Sequence, residues 1–502
     1  MATSTEDKLQ PVIDDRGFFG HPKGLSVLFS AAMWERFGFY GMRAILTLYM
    51  VYELGYPKGG YAYAVYGAYC ALAYAFPVLG GWLANQWLGY RRSILWGGVL
   101  MTIGYFAMSV PYEWAFYLAM ALLSVGNGFF RPNVASIVGR LYKEGDPRRD
   151  RGFIIFYAGI NIGALSAPLI CGWLGEEVSW PLGFRLAGVG MLIGLAWFWF
   201  GQRHIRHHGE PDHPALLHAP VLFRLNRFHL VILGSLVLVP LAAWTLYIPK
   251  IATYLVQGMS LLGLLALIML TQQQQGVARY RMIALIMLMF FNMLFWAGFE
   301  QAGSSFNVMA KDHLRRDIFG VEIAAAVFQS VNPLFLILFA PVFTVIWKRL
   351  SDLGREPSIP VKFSLALFQL GLGFAVLAYG VTTADGNARI SMWYMVLCYL
   401  LHTMGELCLS PIGLSAVTKL APQKWVGFCM GAWFLTIANG HIMAAGIAML
   451  TGRGAAAGEV ATVESLQNYT LIFEQVFYLA CGAGIVLLFL SPAIKKLMQG
   501  VN

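Results

Sequence analysis

Charged residues are scarce in this chain. Asp, Glu, Lys and Arg make up 12% of its 502 residues, whereas 58% are hydrophobic; soluble domains carry roughly 25% charged residues. This composition excludes a soluble globular protein and indicates a polytopic membrane protein. The net charge of +10 is carried by short loops between apolar runs and not by one continuous surface, so we expect no nucleic-acid partner.

Cysteine is also scarce, and no metal or processing motif is evident. The six cysteines lie in apolar segments without paired spacing, which supports neither a disulfide framework nor a zinc motif. The polar connector after residue 201 contains several histidines, but no cysteine or carboxylate completes an obvious metal site. We therefore expect no metal and no cofactor. The first 23 residues lack the apolar core and cleavage site of a signal peptide, so residues 1–24 are expected to form a cytoplasmic tail.

Long apolar segments dominate what is present. At about 20 residues per membrane crossing, fourteen segments are long enough to span a bilayer. An even number of crossings places both termini on the same side. The predicted spans centre on residues 25–54, 60–84, 93–111, 114–139, 152–175, 181–201, 229–248, 251–271, 282–310, 324–347, 361–381, 391–413, 425–451 and 470–492.

Basic residues concentrate in alternate loops between these spans. The positive-inside rule makes such loops cytoplasmic, so we expect both termini inside a multi-pass protein of the inner membrane. One opposite loop is an exception, with Lys311, Arg315 and Arg316 diluted by two aspartates. The loops that define the inside carry Arg91, Arg92, Arg140, Lys143, Arg148, Arg149, Arg151, Arg203, Arg206, Arg224, Arg227, Lys348, Arg349, Arg355, Lys362, Lys419 and Lys424.

The spans are grouped as six, two and six. Two six-helix halves joined by a central cytoplasmic connection are typical of major-facilitator transporters, in which the substrate site lies between the halves. The predicted fold is therefore all-α and polytopic, with two six-helix bundles plus two inserted helices. The predicted parts are tail 1–24, bundle 25–201, linker 202–228, inserted pair 229–271, bundle 272–493 and tail 494–502.

The first span contains charges near its centre, at Glu35, Arg36 and Arg43. Each ionised side chain at mid-bilayer costs roughly 2.5–3.5 kcal/mol unless it faces a polar interior. At 100° per residue, both arginines share one helix face with Tyr40, and Glu35 lies about 100° from Arg36. This face is predicted to line a polar path.

Further polar residues lie at membrane depth in both halves. An isolated pair of buried charges can be a structural salt bridge, but buried pairs stabilise poorly, and a set drawn from six spans favours a shared substrate or ion path. Arginines and tyrosines suit a carboxylate, and a glutamate with asparagines suits an ammonium, so a small zwitterion is the expected substrate. The set comprises Arg131, Asn161, Glu300, Gln301 and Asn332, with His402, Glu406 and Ser410 on one helix face.

Three segments together resemble the proton-dependent oligopeptide transporters, the peptide transporter (POT) branch of the major facilitator superfamily. The first span follows the family pattern E-x-x-E-R-F-x-Y-Y-G-M-R in most positions. Residues 153–165, FIIFYAGINIGAL, fit the fifth-span signature, and residues 405–415, GELCLSPIGLS, fit G-E-L-x-x-S-P-x-G-L-S. The resemblance implies proton-coupled import of di- and tripeptides, with peptide, protons and membrane lipid as partners.

The resemblance also implies roles for individual residues. It places Arg43 opposite Glu300 in an extracellular gate and proton switch. Glu35 beside Arg36 is a second candidate for the switch on physical grounds, because a neighbouring arginine that moves on or off changes the protonation of a buried carboxylate. Ser410 joins the substrate-binding set through its motif. The resemblance implies that Arg36, Arg43 and Arg131 surround the peptide carboxylate near Tyr40 and Tyr74, that Asn161, Asn332 and Glu406 hold the amino terminus, and that Trp296 and Trp433 shape side-chain pockets.

Several positions depart from the family pattern. Ala32 replaces its first glutamate, Phe39 its first tyrosine, Arg131 its fourth-span lysine, and Asn85 the aspartate of a cytoplasmic loop motif. The missing glutamate removes one titrating group and leaves Arg131 without that partner.

Two alternative functions stay open at this point. One is a transporter of the same fold for another small organic anion, nitrate or a peptide-like drug. The other is a non-transporting receptor or enzyme, against which stands the lack of a nucleophile–base pair or soluble catalytic domain.

Overall fold

The computed structural model describes residues 17–57, 60–143, 146–210, 220–222, 225–452 and 463–501. The first sixteen residues of the predicted N-terminal tail, and residues 211–219, 223 and 224 of the predicted linker, lie outside the described residues.

Fourteen long helices follow one another through the described residues, and the predicted number is confirmed. They are α1 Lys23–Leu48, α2 Tyr61–Leu88, α3 Tyr90–Ala107, α4 Glu113–Arg140, α5 Arg148–Glu177, α6 Trp180–His204, α7 Arg227–Tyr247, α8 Pro249–Gln273, α9 Gly276–His313, α10 Ala325–Asp352, α11 Ile359–Val381, α12 Met392–Leu420, α13 Gln423–Thr451 and α14 Val463–Leu497.

Several helices are locally wound differently. A π-helical turn, Tyr49–Glu53, continues α1, and π-helical turns also occur at Ala84–Leu88 in α2 and Pro168–Gly172 in α5. Helix α9 is interrupted by a 3₁₀ turn at Glu300–Gly303 before it resumes at Ser305. A 3₁₀ segment within a helix often marks a functional hinge.

Short strands occur only in loops among the described residues. Strands β1 Pro220–Leu222 and β2 Leu225–Asn226 are antiparallel, as are β4 Asp317–Ile318 and β5 Val321–Glu322. Strand β3 Leu314–Arg315 pairs in parallel with β6 Ile390–Ser391 and ties the loop after α9 to the start of α12.

Three of the fourteen helices, α1, α3 and α4, are not apolar enough to qualify as membrane spans by composition. Helices α1 and α4 carry internal charges, including Glu35 and Arg131, and α3 begins with a pair of arginines. Most residues of α1 and α4 are buried in the protein, so their polar side chains face other helices. Because α1 and α4 are largely enclosed by other helices, they need little apolar surface toward lipid.

The helices pack as two halves with the inserted pair beside their junction. In the first half α1 packs on α5 and α6, and α4 packs on α2 and α3; in the second, α11 packs on α12 and α14, and α9 packs on α13. The halves meet through α2 with α13 and α5 with α10, while α7 packs on α4 and α8 on α2 and α13. Gly67 allows α2 to approach α13, because a Cβ there would lie 3.1 Å from the His441 carbonyl oxygen.

Candidate functional site

A cluster of one carboxylate and two guanidinium groups lies between α1 and α4. Glu35 is almost fully buried, and its Oε1 accepts a hydrogen bond from Arg131 Nε at 3.0 Å, while Arg36 Nε lies 3.3 Å from its Oε2. The Arg131 guanidinium also stacks 4.1 Å from the centroid of Phe39. Because Ala32 stands where the family pattern has a glutamate, Arg131 lacks that acidic partner. Arg131 instead forms an ion pair with Glu35.

This cluster has an excess of positive charge and unused donors. Two cations and one anion leave a net charge of +1. Arg131 Nη2 and Arg36 Nε are buried and have no hydrogen-bond partner within the described part of the chain. Buried guanidinium N–H groups without acceptors are costly unless an anion binds them. The cluster is therefore suited to receive a carboxylate.

A second ion pair joins the two halves. Arg43 Nη2 on α1 donates to Glu300 Oε2 at 2.5 Å, and Arg43 Nε donates to the Tyr66 hydroxyl at 2.8 Å. Glu300 is the first residue of the 3₁₀ turn that breaks α9. Gly303 in the same turn has no room for a side chain, because a Cβ would overlap the Tyr66 hydroxyl and lie 2.9 Å from Arg43 Nε.

Further contacts join the two halves around a buried carboxylate at the end of α5. Glu176 Oε1 lies 2.7 Å from Lys311 Nζ and 3.7 Å from Arg316 Nη1, and its Oε2 accepts from the Ala326 backbone N–H at 2.9 Å. Tyr52, at the end of α1, donates to Asp312 at 2.5 Å. Glu176 of the first half thus partly neutralises Lys311 and Arg316, two of the basic residues in the loop that departs from the positive-inside pattern.

The second half holds a carboxylate without a cation. Asn332 Nδ2 on α10 donates to Glu406 Oε2 at 2.9 Å and lies 3.0 Å from Thr403 Oγ1. Both Asn332 and Glu406 are half-buried. Among the described residues no cation lies within ion-pair distance of Glu406, so its carboxyl group has no charged partner of its own. The arrangement is suited to receive an ammonium group.

The predicted aromatic residues occupy different environments. Tyr40 and Tyr74 are half-buried, and the Tyr40 centroid lies 5.7 Å from the Arg43 guanidinium carbon. Trp296 is nearly buried, with its Nε1 donating to Asn292 at 3.0 Å. Trp433 is 2% exposed and packs against Phe363 and Gly413 within the second half. The structure brings Tyr40 close to Arg43, and the roles of Trp296 and Trp433 in side-chain pockets remain predictions.

Two further predicted residues have no hydrogen bond or ion pair to the charged groups within the described part of the chain. Asn161 is half-buried and donates to the Tyr157 carbonyl oxygen of its own helix at 3.0 Å. Ser410 is half-buried, one turn after Glu406, without a bond to it. Asn161 and Ser410 therefore remain predictions for substrate contact.

His402, predicted on the same helix face as Glu406 and Ser410, contacts a different set of groups. His402 is buried, its Nε2 lies 3.1 Å from the Leu370 carbonyl oxygen, and its ring packs between Phe306 and Phe374. His402 therefore belongs to the core of the second half.

Sequence reasoning missed a residue beside the ion pair of the two halves. His441 on α13 is 2% exposed, and its Nε2 lies 3.7 Å from Glu300 Oε1. Its ring also lies 4.9 Å from that of Tyr74. The signal was available, since an ionisable residue inside an apolar span is a functional candidate in its own right.

The family model described as "PTR2: POT family" matches residues 91–466. The chain belongs to the POT family. It is 32% identical to the dipeptide and tripeptide permease A of Yersinia pestis, over 98% of this chain and 97% of that protein. It is also 36% identical to an uncharacterized transporter of Bacillus subtilis, YclF, over the full length of both chains.

Solved structures of the same family resemble this one. A peptide transporter POT in complex with sulfate is 37% identical, with a TM-score of 0.83 over 97% of this chain and 98% of that chain. A POT family transporter in complex with 5-aminolevulinic acid is 31% identical, with a TM-score of 0.82 over 97% and 100%. The predicted major-facilitator fold is confirmed, and so is the prediction of a transporter and not an enzyme.

Proposed function

We propose that this chain is a proton-coupled importer of di- and tripeptides that works by alternating access. The observation that carries the proposal is the pair of oppositely charged ends. Arg36 and Arg131 outnumber the carboxylate of Glu35, whereas Glu406 faces only the neutral Asn332. A peptide with free termini is the small molecule that complements both ends. The names of the permease relatives support the same substrate class.

The order of charges within the site supports a binding mode. The peptide carboxylate would accept from Arg36 and Arg131, with Tyr40 and Tyr74 alongside. The amino terminus would meet Glu406 and, after side-chain rotation, Asn161, Asn332 or Ser410. Trp296 and Trp433 are proposed to shape the side-chain pockets.

We place both termini on the cytoplasmic side, because the basic loops then lie inside. In that orientation the contacts of Arg43 with Glu300 and of Glu176 with Lys311 close the outer side of the site. Alternating access would break these contacts as the two bundles rock. The moving parts would be bundles 25–201 and 272–493, connected by linker 202–228 and inserted pair 229–271, with short tails at 1–24 and 494–502.

The proposed energy source is the proton gradient. Moving one positive charge inward at about 100 mV releases roughly 2.3 kcal/mol, enough for about 50-fold accumulation of a neutral zwitterion. Glu300 is the proposed switch because it bridges the halves through Arg43 and is buried. Glu35 is the second candidate, although it is shared between two arginines.

Counterflow in proteoliposomes tests the substrate class. Vesicles loaded with unlabelled dialanine should take up labelled dialanine, and a panel of dipeptides should compete with it. One alternative has structural support, because a POT family transporter has been solved with 5-aminolevulinic acid, another small zwitterion. Absence of labelled dialanine uptake, together with counterflow of labelled 5-aminolevulinic acid or a simple anion in vesicles loaded with the same compound, would overturn the peptide proposal.

A further inference from the structure

We propose that His441 is a proton-binding residue of the transport switch and competes with Arg43 for Glu300. The inference rests on the proposed proton coupling and names a group that takes part in it. With Ala32 in place of a glutamate, the first half has one titrating carboxylate fewer. Proton coupling would then depend on a titrating group elsewhere. His441 lies beside Glu300, a buried carboxylate that bridges the halves through Arg43.

The geometry around Glu300 leaves one of its oxygens available to His441. Oε2 accepts from Arg43 at 2.5 Å, whereas Oε1 lies 3.7 Å from His441 Nε2, just beyond hydrogen-bond distance. Neither ring nitrogen of His441 has a hydrogen-bond partner within the described residues. A small rotation of the ring would allow a protonated Nε2 to donate to Oε1.

An internal comparison argues against a purely structural role. The other histidine buried at membrane depth in this half, His402, satisfies its Nε2 with the Leu370 carbonyl oxygen at 3.1 Å. His441 is equally buried but has no such bond. Leaving a buried polar group unsatisfied destabilises the fold by about 1–3 kcal/mol. A histidine that packs without a partner, next to a carboxylate, is better explained by a state in which it is bonded.

The charged and titratable groups that face His441 come from four other helices. Glu300 approaches from α9, Arg43 from α1, Arg131 from α4 and Tyr74 from α2. The inserted helix α8 contributes a neutral contact, in which the side-chain amide of Asn439 on α13 donates a hydrogen bond to the Ser260 hydroxyl. Glu300 thus lies beside one arginine, Arg43, and one histidine, His441, so a protonated histidine and that arginine compete for the same anion.

This competition makes the two partners of Glu300 alternatives. While Arg43 holds Glu300, a second positive charge on His441 is disfavoured. When the outer side opens and Arg43 withdraws, a proton from the outer water binds His441 Nε2, and the resulting N–H donates to Glu300 Oε1. When the outer side closes again, Arg43 returns and the proton leaves Nε2 for the inner water. One proton is carried per cycle, and no covalent bond other than N–H changes.

Tyr74 connects this switch with the substrate site. Its ring contacts His441, and it interacts electrostatically with Tyr40, Arg131 and Arg36 as well as with Glu300. A bound peptide would restrain the tyrosine ring and, through it, the orientation of the histidine. The contact therefore offers a route by which substrate and proton binding depend on each other.

The pH profile of transport tests the proposal. In proteoliposomes with the full chain, His441→Gln should retain dialanine counterflow but shift the midpoint of gradient-driven uptake between about pH 5 and pH 8 by at least about one unit, or flatten it. His402→Gln, which removes a buried histidine away from Glu300, should keep the wild-type profile. A His441→Gln profile that superimposes on the wild type would overturn the proposal.

A second measurement needs no substrate. Nuclear magnetic resonance of histidine-labelled protein in detergent, with the His441 signal assigned by its loss in His441→Gln, should reveal a titration that moves by at least about one pH unit in Glu300→Gln. An identical titration in both proteins would overturn the coupling. Absence of dialanine transport by the wild type, with a coupled titration, would overturn the proposed substrate and retain the His441 switch.

Discussion

Arg43 Nη2 and Glu300 Oε2 lie 2.5 Å apart, although the two residues are 257 positions apart in the chain. Their contact fastens α1 of the first half to the break in α9 of the second half. Both side chains are more than nine-tenths buried, so the pair is shielded from water. Removing one partner of such a buried pair typically costs about 3–5 kcal/mol, because the other charge is left uncompensated.

Replacement of Glu300 by glutamine should separate driven transport from exchange. Glu300→Gln keeps an acceptor for Arg43 but cannot carry a charge or titrate. We therefore expect gradient-driven dialanine accumulation to be lost while counterflow persists. Both are measured in the same proteoliposomes. The matched control is Glu464→Gln, an exposed position at the start of α14, which should accumulate peptide like the wild type. Undiminished driven uptake by Glu300→Gln would contradict the proposed switch.

Recognition of the peptide carboxylate should depend on Arg131. A charge-assisted hydrogen bond contributes about 1.5–3 kcal/mol, so the wild type should bind dialanine about 10- to 150-fold more tightly than dialanine amide. Arg131→Gln should bind dialanine more weakly and discriminate against the amide by about threefold or less. Competition against labelled dialanine in counterflow gives both affinities. Arg203→Gln, at an exposed arginine in the last turn of α6, is the control and should discriminate as the wild type does. Full discrimination by Arg131→Gln would place the carboxylate elsewhere.

Recognition of the peptide amino terminus should depend on Glu406, whereas recognition of the carboxylate should not. The wild type should reject N-acetyl-dialanine, which has lost its ammonium charge, and Glu406→Gln should reject it much less relative to dialanine. The same variant should still discriminate against dialanine amide, because Arg36 and Arg131 are untouched. A competition assay with both modified peptides measures the two effects together. If Glu406→Gln lost discrimination against the amide and not against the acetyl peptide, the proposed orientation would be reversed.

Restoration of a carboxylate at position 32 should change the pH dependence of uptake. Ala32 is 4% exposed and lies one helical turn before Arg36. A glutamate there would compete with Glu35 for Arg36 and Arg131 and would add a titrating group. We expect the pH profile of Ala32→Glu to shift from the wild-type profile. Ala32→Gln, of similar size but neutral, controls for steric effects. Coincident profiles for the glutamate and glutamine variants would show that position 32 does not influence coupling.

The sequence by itself determined the membrane class, the fourteen helices and the family motifs. Span length and apolar content are local properties, and the backbone must satisfy its hydrogen bonds within each span, so helices follow from composition. The cost of Glu35, Arg36 and Arg43 within one span also required a polar surrounding, whatever the partners were. Arg43 and Glu300 were paired by resemblance to the family, and the structure has them in contact.

Only the tertiary structure decided which groups meet. Glu35 became the partner of Arg131 because α1 and α4 approach each other across 96 positions of sequence. His402 and His441 both lie in apolar helices, yet one faces a carbonyl oxygen in the core and the other faces Glu300. Such differences arise from the rotation and crossing of packed helices, which change a side chain's surroundings without any change in its local sequence pattern.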